Sequence, residues 1–458
     1  MQRSKLGKRT WFNLILFGTA GQIAWNVENM VFNTFLYNSI YGNVTDQAAI
    51  DNAIPFSTAI SNMVALSAVA AFVSTLLLGT LSDRMNRRKI FLSAGYIAWG
   101  IVTACFGFIS LENTASILQS SDMLRVLTVT VWTVIIMDVI MTFMGSLSND
   151  ASFNAWVTDV TDESNRPVTE SVLAVLPLAA TGIVMGLMAV VGKIGYSTFF
   201  LILGASVTLC GVIGLFSLNE SRSGIRQVNG NYWADVIYGF RPSVVKQHKD
   251  LYLSFAAVCI FNISVQVWFP YLFIYLEHVI LKNTPELLGV KTIIGAVIAL
   301  AIIIPGILIL LTKQAKIGRT KVFLIASVGF VVGLFLVFAF GRDVGSTLPA
   351  IAPALVGYAV LTILLNATVR DYTPEDKVGQ FQGIRMVFYV LIPMVVGPYI
   401  GDLAISNSTR TYLNEFNVET PLPTETMFLA AALIAVFVFV PVLLLWRRSK
   451  SKQLADNA

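Results

Sequence analysis

The chain has 458 residues, of which 56% are hydrophobic and 12% charged, and its mean hydropathy is +0.73. A soluble domain carries about 25% charged residues, so a soluble globule is excluded. The formal net charge of +5 sits in short clusters between apolar runs, which reads as loops flanking a membrane and not as a nucleic-acid-binding face.

The apolar runs are about 20 residues long, the length that crosses a bilayer as a helix. Backbone groups in lipid must be satisfied within the segment, so the expected fold class is all-α integral membrane. Twelve transmembrane helices are expected, near 11–41, 55–80, 88–110, 124–158, 168–192, 196–218, 250–279, 288–312, 321–340, 348–370, 383–404 and 425–446. Met1–Thr10 is basic, but the run after it is long, carries Asn residues and lacks a small-residue cleavage site. The first span is therefore expected to remain as an uncleaved insertion signal.

In the first span Gln22, Asn26, Asn29 and Asn33 follow i, i+4, i+7, i+11 and form one stripe. Amides both donate and accept, which suits a hydroxyl-rich ligand; the same side chains also serve as interhelical glue. Glu28 lies about 120° from that stripe on an ideal helix. It reads equally as a carboxylate that couples a proton or cation and as the partner of a cation on a neighbouring helix.

Between the apolar runs Phe56–Leu78 and Ile90–Ile109 lies Gly79–Lys89, with Asp83, Arg84, Arg87, Arg88 and Lys89. It is expected to be a tight charged loop, with Asp83, Arg84, Arg87 and Arg88 as gating residues. The fourth span carries Ser146, Asp150 and Asn154 on one face, with Asp138 expected to point elsewhere. Asp150 can accept from two hydroxyls at once, or it can form a structural ion pair near the end of its helix. The seventh span places Asn262 and Gln266 on one face beside Trp268, Phe269, Tyr271 and Phe273. The tenth and eleventh add Tyr358, Thr362, Asn366, Gln380, Gln382 and Arg385, the last as a further gate residue. An aromatic belt at the membrane interface is the alternative for Trp268 and Tyr271.

The two halves echo each other. Asn154–Glu163 and Asn366–Glu375 share Asn, Ala, Val, Asp, Thr and Glu at one offset, and Met85–Leu92 has a weaker echo in Ile317–Leu324. The expected organisation is a six-helix bundle over 1–218, a cytoplasmic linker over 219–249 with a short surface helix within 232–245, and a second six-helix bundle over 250–458. Of the 31 Lys and Arg residues, only Arg125, Lys193, Lys282, Lys291, Arg342 and Arg410 fall on the expected outer side, which puts both termini in the cytoplasm. Cys105, Cys210 and Cys259 lie in apolar runs and read as small hydrophobes. His248 and His278 lie at opposite expected membrane faces and suggest no zinc site. With no nucleophile–base pair, phosphate loop or metal cluster in the sequence, neither an enzyme nor a cofactor is expected.

Gly79, Leu81, Ser82, Asp83, Arg84, Arg87, Arg88 and Lys89 resemble the helix 2–3 motif of the major facilitator superfamily, with Asn86 in place of the usual glycine. The resemblance implies two six-helix bundles and a secondary transporter that works by alternating access. The run from Asp150 to Thr161, followed by Asp162, Glu163 and Arg166, is similar to the helix 4–5 region of the glycoside–pentoside–hexuronide:cation symporters, the melibiose-permease-like family. That likeness implies that Asp150 binds sugar hydroxyls. The family's two sodium-binding helix 2 acids would fall near Ala71 and Thr75, its helix 5 arginine near Ala174 or Val175, its helix 11 lysine near Met394, and its helix 1 acid near Gln22 or Ile23. Of that charged site only Asp150 is matched.

The sequence therefore points to a monomeric secondary transporter of the inner or plasma membrane, set in the lipid bilayer, that moves a small polar solute. A sugar or glycoside is the expected substrate, with proton or sodium symport as the coupling. The expected substrate contacts are Gln22, Asn26, Asn29, Asp150, Asn154, Asn262, Gln266, Trp268, Tyr358 and Asn366; the coupling residues are Glu28 and Asp150. A drug or metabolite exporter and a non-transporting membrane sensor are the alternatives.

Overall fold

The computed structural model describes residues 6–85, 88–161, 165–218, 238–313, 316, 318–374, 378–406 and 410–456. Helix α1 begins as Lys8–Val27 and continues through π turns at Glu28–Phe32 and Leu36–Ile40. Then come α2 (Phe56–Met85), α3 (Arg88–Cys105) and α4 (Met123–Val160). One continuous helical stretch, Arg166–Ser217, bends at Gly195, where φ is +77°, and so divides into α5 (166–194) and α6 (196–217). A left-handed φ carries a steric penalty for any residue with a Cβ, so the bend falls on the glycine.

The second half holds α7 (Lys249–Leu281), α8 (Val290–Thr312), α9 (Arg319–Phe340) and α10 (Val344–Tyr372). Helix α11 runs as Val378–Met386, a π turn at Val387–Leu391 and Ile392–Ser406; α12 includes Thr426–Arg448. Among the described residues ten helices are long and apolar enough to cross a membrane. The other two expected spans are α1, whose amides dilute its apolar character, and α5, where Val175–Met188 forms a shorter apolar stretch.

The sequence reading of Gly79–Lys89 as a loop needs correction. Helix α2 runs on to Met85 and α3 starts at Arg88, so Asp83 and Arg84 lie on the last turn of a helix. Residues of the Leu-Ser-Asp-Arg-Met type do not break a helix, and cations near its C-terminus are favourable to its dipole. A two-stranded hairpin, β1 (Thr411–Leu413) and β2 (Glu419–Pro421), joins α11 to α12 and was not expected from sequence. Short helices at Gln47–Asn52 and Leu111–Leu118 were also not expected. Of the expected linker, residues 219–237 lie outside the described residues; the surface helix there is Pro242–Gln247.

The chain divides into two compact units, Met1–Asn229 with Leu413–Thr420, and Gly230–Tyr412 with Pro421–Ala458. In each, large apolar side chains face neighbouring helices, as Phe32, Phe106 and Phe200 do in the first and Phe261 and Phe330 in the second. Helix α8 presents Ile294, Val297 and Ile304 outward, as a helix surrounded by lipid does.

Candidate functional site

In the first unit the polar residues gather where α1 meets α4. Asp122 caps α4, its Oδ1 accepting from the backbone N–H groups of Leu124 at 3.1 Å and Arg125 at 3.3 Å. From Ser146 to Phe153 the helix is π-helical. Its i→i+5 bonding widens the turn, so each residue advances by less than the about 100° of an α-helix.

Asp138, expected to point away from the Ser146–Asp150 face, bonds α2. Asp138 is 2% exposed, and its Oδ2 accepts from the Ser67 hydroxyl of α2 at 2.6 Å. One turn on, the Thr142 hydroxyl donates to Glu28 Oε1 at 2.7 Å. Glu28 is 8% exposed and lies close enough to both Asp138 and Asp150 to feel their charge.

Asp150 itself is half-buried. Asn149 Nδ2 lies 3.5 Å from its Oδ1, and Ser146 and Trp25 face the same carboxyl group. The Trp25 ring leans on Trp99 at 5.2 Å between centroids. Both indole N–H groups and the Ser146 hydroxyl are buried without a hydrogen-bond partner among the described residues. The Tyr96 hydroxyl sits 2.8 Å from the Phe17 carbonyl and 3.1 Å from Asn149 Oδ1. Gly21 makes this approach of α1 to α4 possible, because a Cβ there would collide with Asn149 and with the Tyr96 hydroxyl. Sequence reasoning missed Trp25; the available signal was that Gln22, Trp25 and Asn29 also share a face, at i, i+3 and i+7.

The amides of the α1 stripe bond largely to their own helix. Asn26, Asn29 and Asn33 each donate to a carbonyl four residues back on α1, at 2.8, 2.7 and 3.3 Å. Asn26 Oδ1 also accepts from Thr181 of α5 at 2.9 Å, and Asn33 is buried with its Oδ1 unpartnered among the described residues. Gln22 is half-buried. Asn154 is exposed and donates to the Asp150 backbone carbonyl at 3.0 Å.

In the second unit Asn262 donates to the carbonyl of Tyr389 at 3.1 Å, inside the π turn of α11. Such a turn leaves carbonyls short of a helical partner, and the amide supplies one. Gln266 is half-buried, with its Cβ against Gly397 of α11. Trp268 is buried beside Phe269 and Phe428, at 6.0 and 5.9 Å. Tyr358 is 42% exposed and tilts on Phe261 at 5.7 Å; Asn366 is exposed. Arg385 is exposed, its guanidinium 4.9 Å from the centre of the Tyr389 ring, a cation–π contact.

Of the expected gate residues, Arg88 donates to Asp159 Oδ2 at 2.5 Å, tying the start of α3 to the end of α4. In the second unit Arg319 at the start of α9 donates to Asp371 at the end of α10, also at 2.5 Å, and to the Thr368 hydroxyl at 2.9 Å. Asp159 and Asp371 hold the same place in the two sequence windows that echo each other. That shared acid was the signal for both ion pairs. Arg87 lies outside the described residues, as do the side chains of Asp83 and Arg84.

Residues 29–312 and 284–457 match the family model of the Major Facilitator Superfamily. The chain belongs to that superfamily. It is therefore a multi-pass membrane protein. Among solved structures it is similar to the xylose transporter XylE from E. coli, in a partially occluded inward-open conformation, with a TM-score of 0.61 and 14% identity over 95% of this chain and 97% of that one. It is also similar to the nucleoside transporter NupG, in a point-mutant form at TM-score 0.60 and 13% identity over 95% of this chain and 99% of that one, and in a second structure at TM-score 0.57 and 13% identity. At such identities the likeness is one of fold. No curated protein matches the sequence.

Proposed function

We propose that this member of the superfamily is a secondary transporter that moves a small hydroxyl-rich solute, a sugar or a nucleoside, across a cell membrane by alternating access. The observation that carries the reading is the half-buried Asp150 carboxylate set beside the Trp25 ring and the amide of Asn149. A carboxylate accepts from two hydroxyls of one sugar ring, and an aromatic face covers the apolar side of that ring. The xylose and nucleoside transporters that share its fold handle solutes of that chemistry. A melibiose-permease-like subfamily fits the position of Asp150 but not the positions at Ala71 and Thr75, where that family's sodium-binding acids would stand. The protein works as a monomer with both termini in the cytoplasm, carries no cofactor and has no enzymatic step.

Counterflow in proteoliposomes tests the reading. Vesicles preloaded with an unlabelled solute from a panel of sugars and nucleosides are exposed to the same labelled solute. Saturable exchange of at least one of them is expected. Exchange of lipophilic cations alone would replace this reading with that of a drug exporter, and exchange of nothing in a wide panel would favour a sensor.

A further inference from the structure

We propose that the crevice between α1, α5 and α6 holds one acyl chain of a bilayer phospholipid, with the lipid's phosphate group held at Lys193. The proposal needs only that the chain spans a membrane and does not rest on the transport reading above.

The crevice lies within the first unit and has a volume of about 550 Å³. Its floor includes Ala20 of α1 and the buried Phe199 and Val207 of α6. Its rim is apolar and open: Ile15, Val190, Ile194 and Ile202 line it and are all exposed. Gly186, one turn before Val190 on α5, has open space beside it, because a Cβ there would meet nothing. The walls offer water little. The Ser206 hydroxyl is one of the few polar groups among them, and it already donates to the Ile202 carbonyl at 2.8 Å. A water needs two to four polar partners, so the space suits an apolar occupant. Left empty, it would deprive its lining of dispersion contacts on one side. Around membrane-spanning helices the apolar molecule at hand is lipid.

The dimensions suit one chain. From Phe199 to Cys210, both of which line the crevice, α6 advances eleven residues, or about 16 Å at 1.5 Å per residue. Half of the hydrocarbon core is about 15 Å, the depth reached by a chain of one leaflet. The Phe199 end lies beside the Gly195 bend that joins α5 to α6, where the chain turns back at a membrane surface. The Cys210 end lies toward the middle of the membrane.

Charge places the headgroup at the shallow end. Lys193 is exposed, precedes the bend by two residues and shares a turn of α5 with the lining residues Val190 and Ile194. It is the one charged residue from Ser171 to Leu218, and the α1 wall, Ile15–Ile23, has none. Among the described residues Lys193 makes no ion pair. A lysine at the interface lays its methylenes along apolar surface and keeps its ammonium at headgroup level. There it meets a phosphate as a point charge. Lys193 is also one of the few cations on the expected outer side, so orienting the chain in the membrane does not call for it.

Native mass spectrometry of the full chain in detergent, stripped of lipid and titrated with dioleoyl phosphatidylglycerol, tests the site. Wild type is expected to take up one lipid about tenfold more tightly than those that follow. Ala20→Phe and Ser206→Phe fill the crevice from its floor and from its rim, and each should remove that difference. Ile304→Phe, on the outward face of α8, should keep it. Lys193→Ala should weaken the first lipid several-fold for phosphatidylglycerol and leave dioleoylglycerol, which has no phosphate, unchanged. A first lipid held no more tightly than the next means an annular layer only and overturns the site. Retention of the tight lipid in both filled variants overturns it too. A Lys193→Ala protein that binds phosphatidylglycerol like wild type overturns the phosphate contact.

Should the filled variants fail to fold, wild type still decides. Cys210 lines the crevice, and Cys105 on α3 is likewise half-buried but does not line it. Maleimide labelling followed by peptide mass mapping should slow several-fold at Cys210 when dioleoyl phosphatidylglycerol is added and stay the same at Cys105. Equal slowing at both thiols, or slowing at neither, overturns the crevice as the place where the chain sits.

Discussion

In the first unit Arg88 at the start of α3 binds Asp159 at the end of α4; in the second Arg319 at the start of α9 binds Asp371 at the end of α10, both at 2.5 Å. Helices α4 and α10 also begin alike, with Asp122 and Asp343 as caps. Their interiors differ. The first unit keeps Glu28, Asp138 and Asp150 among its helices, whereas α7–α12 carry no Asp or Glu from Leu251 to Leu276, within α8, α9 or α12 up to Trp446, from Val344 to Arg370, or from Gly383 to Gly401. The polar side chains within those spans include Asn262, Gln266 and Tyr358.

The contrast separates scaffold from chemistry. Ion pairs and caps at helix ends sit near water, are cheap, and survive in both copies of a repeat. A carboxylate deep in a membrane helix is costly, and the described residues place such acids in one copy alone, so the proposed charge-dependent work is tested there first. Both α1 and α4 carry π turns near these acids, Glu28–Phe32 in α1 and Ser146–Phe153 in α4.

The largest expected effect tests that division directly. Asp150→Asn keeps the shape and removes the charge. It should weaken solute binding by about 1.5–3 kcal/mol, or about 10- to 150-fold, the worth of hydrogen bonds to a charged group. Gln266→Leu in the second unit removes a neutral amide and should cost about 0.5–1.5 kcal/mol. Titration calorimetry with a solute found by counterflow gives both numbers. Equal losses would break the asymmetry, and an Asp150→Asn protein that binds like wild type would make Asp150 structural.

Much of the fold was legible in the sequence because the bilayer imposes a length and an apolar composition on each span, and because clustered Lys and Arg mark the ends. The charged motif was legible too, but its helical backbone was not, since Leu81–Met85 has no residue that stops a helix. Asp150 stood out as an acid inside an apolar run. Asp138 was legible as an acid set apart from the Ser146–Asp150 face, but its partner Ser67 on α2 was not, because a lone serine in a membrane helix carries no signal. Trp25 was hidden because a tryptophan in a membrane helix has many ordinary roles. The hairpin Thr411–Pro421 was hidden because strands of three residues carry no usable alternation.

A smaller effect is expected from the repeated ion pair. Arg88 and Asp159 side chains are 18% and 24% exposed, Arg319 and Asp371 36% and 55%. The drier pair is less screened, so Arg88→Ala should destabilise the protein more than Arg319→Ala, by about 1 kcal/mol against a few tenths. Thermal unfolding in detergent at low and high salt checks the order, and the salt sensitivity should be greater for the pair in the second unit. If Arg319→Ala proves the more costly, the added bond from Arg319 to Thr368 outweighs exposure, and the two pairs are not equivalent in energy.

The smallest effect separates the two caps. Asp343 accepts from the Ser346 backbone at 3.0 Å and from Lys291 Nζ at 2.5 Å. The hydrogen bond from Lys291, helped by the Ser346 backbone, holds its carboxyl below the usual carboxylate range. Because the folded-state value is lowered, the stabilisation is fully present above the ordinary range near about pH 4 and is lost as the pH falls through the folded value. Lys291 is 70% exposed, so screening keeps the contribution to about 0.2–1 kcal/mol. Lys291→Ala should therefore unfold slightly earlier than wild type at neutral pH, and the gap should close as the pH drops below about 4. Asp122 caps α4 by accepting from the backbone N–H groups of Leu124 and Arg125, and Asp122→Ala should cost about 1 kcal/mol as the loss of an N-cap. A gap for Lys291→Ala that stays constant into acid would mean that the lysine acts through something other than Asp343, and the likeness of the two caps would then extend to their energetics.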